Sequence, residues 1–349
     1  MIASAANATP WLDIVIPTRN RAHALRKTLP DTIRQAEKFG AVVSLYDNAS
    51  TDDTKAYLTA LADNHPIIQY RRHTENIGLD RNMLAGIQHT RAPYVLWLGD
   101  DDMLCPDALD TLRRIIENTQ ADLILLNMAC DPTGSLRETV EDLAYDDPPA
   151  FFSRHVFHMP FGTTLFKSSF VDALESSQRF VGTYHAYTGL LTDALAERSL
   201  RGDSCRIFVS KDLLVTPLTI EKSWISDKSD VILNGIPAWF DMLHPLYNSA
   251  RVDPYLEFLA SSEFSQAACS ANASPTAPSP NASVFRLWAS LAASNARATM
   301  LDSQLSDATA YASILKSRIC TLVDGWTWTK WRLMPWTKPK WRNHPLDVS

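Results

Sequence analysis

The stretch Tyr94-Val95-Leu96-Trp97-Leu98-Gly99-Asp100-Asp101-Asp102 passes from an apolar, β-prone run into three consecutive aspartates. The run is short, aromatic and branched, and Pro93 and Gly99 bound it, so it is expected to form a buried strand. Three carboxylates packed at a strand end repel one another. A stable fold tolerates them where a cation or a cationic ligand sits, and hard divalent cations prefer such oxygen ligands. The same residues would also suit a solvated turn with Asp102 as the N-cap of a following helix.

Upstream of this stretch, residues 12–17 read as a first buried strand, stopped by the turn Pro17-Thr18-Arg19-Asn20. A helix is expected over 22–39, with Leu25, Leu29, Ile33 and Ala36 on one side. Pro30 should kink or split it, and Gly40 should end it. Residues 42–46 form a second expected strand, ending in Asp47-Asn48-Ala49-Ser50-Thr51-Asp52-Asp53-Thr54, where Ser50 or Thr51 could cap the next helix. A third strand over 67–70, a loop through Asn76, Ile77 and Gly78, and a helix over 80–90 complete the run. Strands alternating with helices imply a mostly parallel sheet flanked by helices, an α/β fold. Ligands bind such sheets beyond the carboxyl ends of the strands. The polar clusters at Thr18, Asp47 and Asp100 lie at three such ends, so one crevice could gather them.

Downstream, the pattern predicts a helix over 104–118, a strand over 122–127, an acidic Pro-containing loop over 131–150, and a strand near 163–167. A helix over 168–176 and late strands at 207–209 and 213–215 follow. The expected organisation is an α/β domain over 10–220, a helical extension over 221–264, an Ala/Ser/Asn/Pro linker over 265–283 and a helical segment over 284–349. Trp224 lies in the extension, by default a core tryptophan. With 46% hydrophobic and 21% charged residues, the 349-residue chain should bury a sizeable core. Its formal net charge of -6 argues against a nucleic-acid-binding protein. Five scattered cysteines without metal-ligand spacing suit a reducing, cytoplasmic compartment. The amino terminus has no signal-peptide pattern, and no stretch is long and apolar enough to span a membrane.

Four motifs in fixed order over about the first 110 residues carry a resemblance. They are Ile14-Val15-Ile16-Pro17-Thr18-Arg19-Asn20, Tyr46-Asp47-Asn48-Ala49-Ser50-Thr51-Asp52, Asn76-Ile77-Gly78 to Arg81-Asn82, and Leu98-Gly99-Asp100-Asp101-Asp102. The chain resembles the family 2 glycosyltransferases of the GT-A fold, and the last motif is similar to that of their abequosyltransferase-like branch, whose members build bacterial surface polysaccharide. The resemblance implies a nucleotide-diphosphate sugar donor, a divalent cation (Mn²⁺ or Mg²⁺) and inversion at the anomeric carbon. By it, Pro17, Thr18 and Arg19 line the nucleotide pocket. Asp47 accepts a hydrogen bond from the base or ribose, with Asn48 beside it. Arg81 lies near the diphosphate, and Asp100 and Asp102 hold the ribose edge and the metal with Asp101 between them. Each of these residues also has a plainer reading: an Asx-turn for Asp47, an exposed helix charge for Arg81. Asn82 is expected on the helix surface.

An inverting transfer needs a base for the acceptor hydroxyl. The acidic pair that often supplies it in this family is missing from the corresponding segment, Phe180-Val181-Gly182-Thr183-Tyr184-His185-Ala186-Tyr187. His185 is the nearest candidate and Asp193 the second, a structural histidine and a helix-surface carboxylate being their plainer roles. At the far end, Trp326, Trp328, Trp331, Trp336 and Trp341 interleave with Lys330, Arg332, Lys338, Lys340 and Arg342. Tryptophan favours the membrane interface and basic residues are drawn to anionic lipid. Peripheral contact with the inner face of the cytoplasmic membrane is therefore expected, where a glycan or polyprenyl-linked acceptor would lie. The helical segment before it could also pair with a second copy of the chain. Two other functions use similar parts. A nucleotidyltransferase would want a Gly-rich basic phosphate loop, which Pro17-Thr18-Arg19-Asn20 is not. A catalytically inactive glycan- or lipid-binding module would keep the fold without the chemistry.

Overall fold

A computed structural model describes residues 9–128, 141–159, 162–218 and 228–260. The chain divides into two units, 1–277 and 278–349, and every described residue belongs to the first. The expected linker over 265–283, Trp224 and the Trp/basic tail lie outside the described residues.

Among the described residues nine strands, numbered in chain order, form one sheet in the order β3-β2-β1-β4-β8-β6-β9-β5, with β7 added on β9. The first four are β1 (Leu12–Thr18), β2 (Val42–Asp47), β3 (Ile68–Arg72) and β4 (Tyr94–Trp97). All pairings among them are parallel. Beyond β4 the sheet is mixed. β8 (Thr164–Lys167) runs antiparallel between β4 and β6 (Leu123–Met128), and β9 (Ile207–Pro217) runs parallel to β6. β5 (Asp102–Leu104) and β7 (Leu143–Tyr145) are short and antiparallel to β9. The mostly parallel expectation therefore holds for the first half and gives way to a mixed sheet in the second.

Alternation along β1 sets the layers. Leu12, Ile14 and Ile16 join Leu25, Leu29 and Ile33 of α1 (Ala22–Phe39) and Leu109 and Leu112 of α4 (Ala108–Thr119) in one core. Leu58 of α2 (Thr54–Asn64) belongs to the same layer. On the opposite face Val15 presses against Gly86 of α3 (Leu79–Gln88), so closely that a Cβ there would lie 2.2 Å from Val15 Cγ1. α1 runs unbroken through Pro30, which is exposed, and ends at Gly40 in the left-handed region with φ 70°. Its buried side also carries Thr28, Thr32 and Gln35. These are not misplaced polar residues: Thr28 Oγ1 donates to the Asp100 carbonyl and Gln35 Nε2 to that of Cys105.

Several boundaries differ from expectation. α2 begins at Thr54, whose N–H donates to Asp52 Oδ1, so neither Ser50 nor Thr51 caps it. Asp102 starts strand β5 rather than capping a helix, because β9 is there to pair with it. Part of the expected loop over 131–150 is β7 and the start of α5 (Pro148–His155), with prolines at its first turn where no amide donor is needed. The two late strands are one bulged strand, β9. Next come a 3-10 stretch (Ser168–Ala173) and the single turn α6 (Leu174–Ser177), then α7 (Ala186–Leu200). Residues 228–260 pack onto α5 and α7: Tyr247 Oη donates to the Thr192 carbonyl, and the Tyr247 ring lies 4.8 Å from that of Phe152.

Candidate active site

The turns after β1, β2 and β4 meet on one side of the sheet. Asn48 N–H donates to the Thr18 carbonyl at 2.9 Å. Asn20 N–H donates to Ser50 Oγ, and Asn20 Oδ1 accepts from Thr51 N–H at 2.7 Å. Thr18 Oγ1 donates to Asp100 Oδ2 at 2.7 Å, across 82 residues of sequence. The three polar clusters expected to converge therefore do so.

The centre of this convergence is Arg21, which the motif reading passed over in favour of Arg19. Arg21 Nε lies 3.4 Å from Asp100 Oδ1 and Nη2 lies 2.9 Å from Asp101 Oδ2. Arg21 is buried while Arg19 is exposed. Asn20 takes φ 55° and turns the chain between them, so the second arginine, not the first, enters the crevice. An asparagine just before a helix start was the available signal. Burial pushes the Asp100 carboxyl up to about 6, against the lowering by Arg21 and by the Thr18 hydroxyl; neighbouring Asp101 adds to the rise.

Asp102 is buried at the start of β5, and Leu218 N–H donates to the Asp101 carbonyl beside it. Its Oδ2 is seated between two glycines. A Cβ on Gly99 would lie 2.4 Å from that oxygen and one on Gly162 2.3 Å from it. Gly162 also has φ +99°, which an L side chain resists. The glycines are thus cut to the shape of this carboxylate. Among the described residues no group of three or more His, Cys, Asp or Glu is arranged to hold a metal ion. The triplet does not act as a three-carboxylate cage, since Asp100 and Asp101 turn to Arg21. The donor set still fits a hard cation, because magnesium-type ions are held by one or two carboxylates with substrate phosphates completing the shell. Asp102 and Asp100 are the residues that would hold it.

Asp47 and Asn48 hold the crevice wall. Asp47 is fully buried: Oδ1 accepts from Ser50 N–H, and Oδ2 accepts from Tyr70 Oη and pairs with Arg72 Nε at 3.1 Å. Direct acceptance from a base or ribose gives way to this internal network. Asn48 clasps the next loop, donating to Asn76 Oδ1 and the Gly78 carbonyl and accepting from Ile77 N–H. Pro17 is buried in β1, and Arg81 is exposed on α3. Asn82 is not a surface residue: it is buried, bridging the Tyr46 carbonyl and His73 Nε2.

Of the two base candidates, Asp193 is excluded by its setting. It is 2% exposed and bound fork to fork by Arg179, at 2.5 and 2.7 Å. A helix-surface position was expected; α7 is instead buried along most of its length, and Arg179 supplies the partner charge. His185, the N-cap of α7, is half-buried and stacked on Trp239 at 5.0 Å. Its Nδ1 lies 3.0 Å from the Thr183 carbonyl. A carbonyl only accepts, so Nδ1 carries the proton and the neutral ring keeps its lone pair on Nε2. Burial lowers the His185 pKa below its ordinary value, against small opposing effects of Thr183 and Asp80.

Residues 13–171 match the family profile described as Glycosyl transferase family 2. Over 118 residues the chain is 37% identical to the abequosyltransferase RfbV of Salmonella typhimurium, covering 33% of this chain and 34% of that one. It is 31% identical over 106 residues to the GalNAc(5)-diNAcBac-PP-undecaprenol beta-1,3-glucosyltransferase of Campylobacter jejuni, covering 30% and 34%. The chain thus spans about a third of the length of these curated relatives. The fold is similar to that of S. aureus TarS solved with UDP-GlcNAc, with a TM-score of 0.52 at 14% identity over 74% of this chain and 72% of that one. The mixed sheet flanked by helices is the GT-A architecture. No helix among the described residues is long and apolar enough to cross a membrane.

Proposed function

We propose, from the match of residues 13–171 to the profile described as Glycosyl transferase family 2, that the chain is an inverting, cation-assisted glycosyltransferase. It would move a sugar from a nucleotide-diphosphate donor to a glycan or lipid-linked acceptor in bacterial surface polysaccharide synthesis. The observation that carries this reading is the meeting of the Asp100–Asp102 turn with the turns after β1 and β2, joined by Thr18 and Arg21. The abequosyltransferase and undecaprenol-linked glucosyltransferase relatives support the class of reaction.

In this reading the donor lies across the strand ends. Arg19, Asp100, Asp101 and the loop clasped by Asn48 face the nucleotide, and Arg81 lies toward the diphosphate. Asp102 and Asp100 would hold a divalent cation, which neutralises charge on the departing diphosphate. His185 Nε2 takes the proton of the acceptor hydroxyl. That oxygen attacks the anomeric carbon from the side opposite the diphosphate, the carbon–oxygen bond to phosphate breaks, and configuration inverts. The Trp/basic tail from Trp326 to Arg342 would hold the enzyme at an anionic membrane surface, near a lipid-linked acceptor.

A thermal-shift panel of nucleoside diphosphates and nucleotide sugars, with and without Mn²⁺, tests the reading. One nucleotide class should raise the melting temperature only in the presence of the cation. A panel with no nucleotide-dependent shift would overturn it. Truncation at Thr321 should release the protein from anionic vesicles, and undiminished binding would remove the tail from the account.

A further inference from the structure

Asp80 is a buried carboxylate at the opening of α3, and it has no part in the crevice just described. It reaches 102 to 106 residues along the chain, to the turn that leads into α7. Oδ2 accepts from Gly182 N–H at 2.7 Å and from Tyr184 N–H at 3.0 Å; Oδ1 accepts from Ala186 N–H at 3.3 Å. These three amides bracket His185. The turn needs such a hold. Gly182 has φ +97°, and Tyr184 has φ +63°, a conformation that a bulky side chain resists. Two left-handed residues in three would relax without a partner for their amides. Tyr184 Oη adds a second tie, donating to Asp230 Oδ2 at 3.0 Å. The same turn supplies the Thr183 carbonyl that fixes the His185 tautomer.

We infer that Asp80 is a positioning residue for His185: its carboxylate gathers the amides of residues 182, 184 and 186 and so holds the imidazole in one place and one tautomer. The first turn of α3 then ties two halves of the site together. Asn48 grips the loop before it, through Asn76, Ile77 and Gly78, and Asp80 grips the turn that bears the base. The inference rests on the reading of His185 as the base, and it adds a side chain that makes no contact with donor or acceptor.

The test uses the full chain and the nucleotide sugar that, with Mn²⁺, gives the fastest release of nucleoside diphosphate in a commercial panel. Asp80→Asn removes the charge and puts a donor where an acceptor is needed. It should lower kcat by about tenfold or more while the KM for the sugar nucleotide stays within about twofold. In ¹⁵N spectra of His-labelled protein, the His185 ring should change from a single Nδ1–H tautomer to an averaged one. Gly182→Ala is the companion variant. The added methyl meets nothing within 4 Å, so the fold is spared and only the turn's φ is opposed; it should reproduce the selective loss in kcat. His185→Gln separates the two claims. Turnover kept by His185→Gln defeats the base reading, and the inference falls with it. Turnover lost by His185→Gln but kept by both Asp80→Asn and Gly182→Ala, with the tautomer intact, defeats the inference alone. A loss of kcat matched by an equal rise in KM would reduce Asp80 to a scaffold role and also overturn it.

Discussion

Two sets of acids in this molecule are built differently. At the ends of β1, β2 and β4, three successive carboxylates crowd together and Arg21 is shared between two of them, Asp100 and Asp101. In the later part of the sheet and on α7, the two buried acids Asp122 and Asp193 are well supplied with cations. Asp122 alone faces Lys167 at 2.6 Å, Arg198 at 3.4 Å and Arg206 at 3.8 Å, and Asp193 has a guanidinium to itself. Where positive charge matches or exceeds negative, the group is complete and serves as framework. Where acids crowd, as with Asp100 held up at about 6 chiefly by burial, is where the proposed cation would be held. The number of acids in a stretch of sequence says little until their partners are known.

The contrast can be broken in four places. The largest effect is expected from Asp102→Ala, which should cut nucleoside-diphosphate release about 10²–10³-fold and abolish any Mn²⁺-dependent thermal shift; a persistent shift would move the cation elsewhere. Next is Gly162→Ala, where the new Cβ must displace Asp102 Oδ2 at an adverse φ. It should cost about 1–3 kcal/mol in chemical denaturation and weaken the response to Mn²⁺ as well. Asp193→Asn probes the other group. Breaking its ion pair with a partly exposed arginine should cost about 2 kcal/mol of stability, with kcat unchanged at temperatures where the variant is folded. A lost kcat would return Asp193 to the mechanism.

The smallest effect concerns pH. Burial holds the His185 pKa below the ordinary 6.5, so the unfolded chain takes up that proton first as pH falls. The ring therefore contributes stability above about pH 6.5, and this is lost as pH drops toward the folded value. His185→Asn should flatten the loss of stability that the unsubstituted chain shows as pH falls below about 6.5. An unchanged slope would mean that the ring is solvated.

Much of the amino-terminal half was legible from local signals. Strand β4, the αL stop at Gly40, and the polar turns after β1, β2 and β4 all follow from residue type and spacing. Convergence of those turns followed from the topology of alternating strands and helices. Roles inside the site were less legible. Asp47 and Asn48 lie in the matching motifs, yet their side chains are taken up by Arg72, Tyr70 and the loop at 76–78. Asp193 looked like a surface carboxylate because its partner, Arg179, lies 14 residues away on a separate turn and not on its own helix. Asp80 gave no signal beyond an acid in a first helical turn, where the helix dipole would explain it.

Taken alone, the order of residues determined the element types, the parallel start of the sheet and the place where a cation and a diphosphate would be sought. These depend on propensity, periodicity and short spacings, which are properties of neighbours in sequence. Only the tertiary structure decided that Arg21 rather than Arg19 enters the crevice, that Asp193 is locked by Arg179, and that Asp80 holds the turn around His185. Those outcomes depend on which polar group meets which across 14 to 106 residues, and a buried charge is stable only with the partner that the fold brings to it.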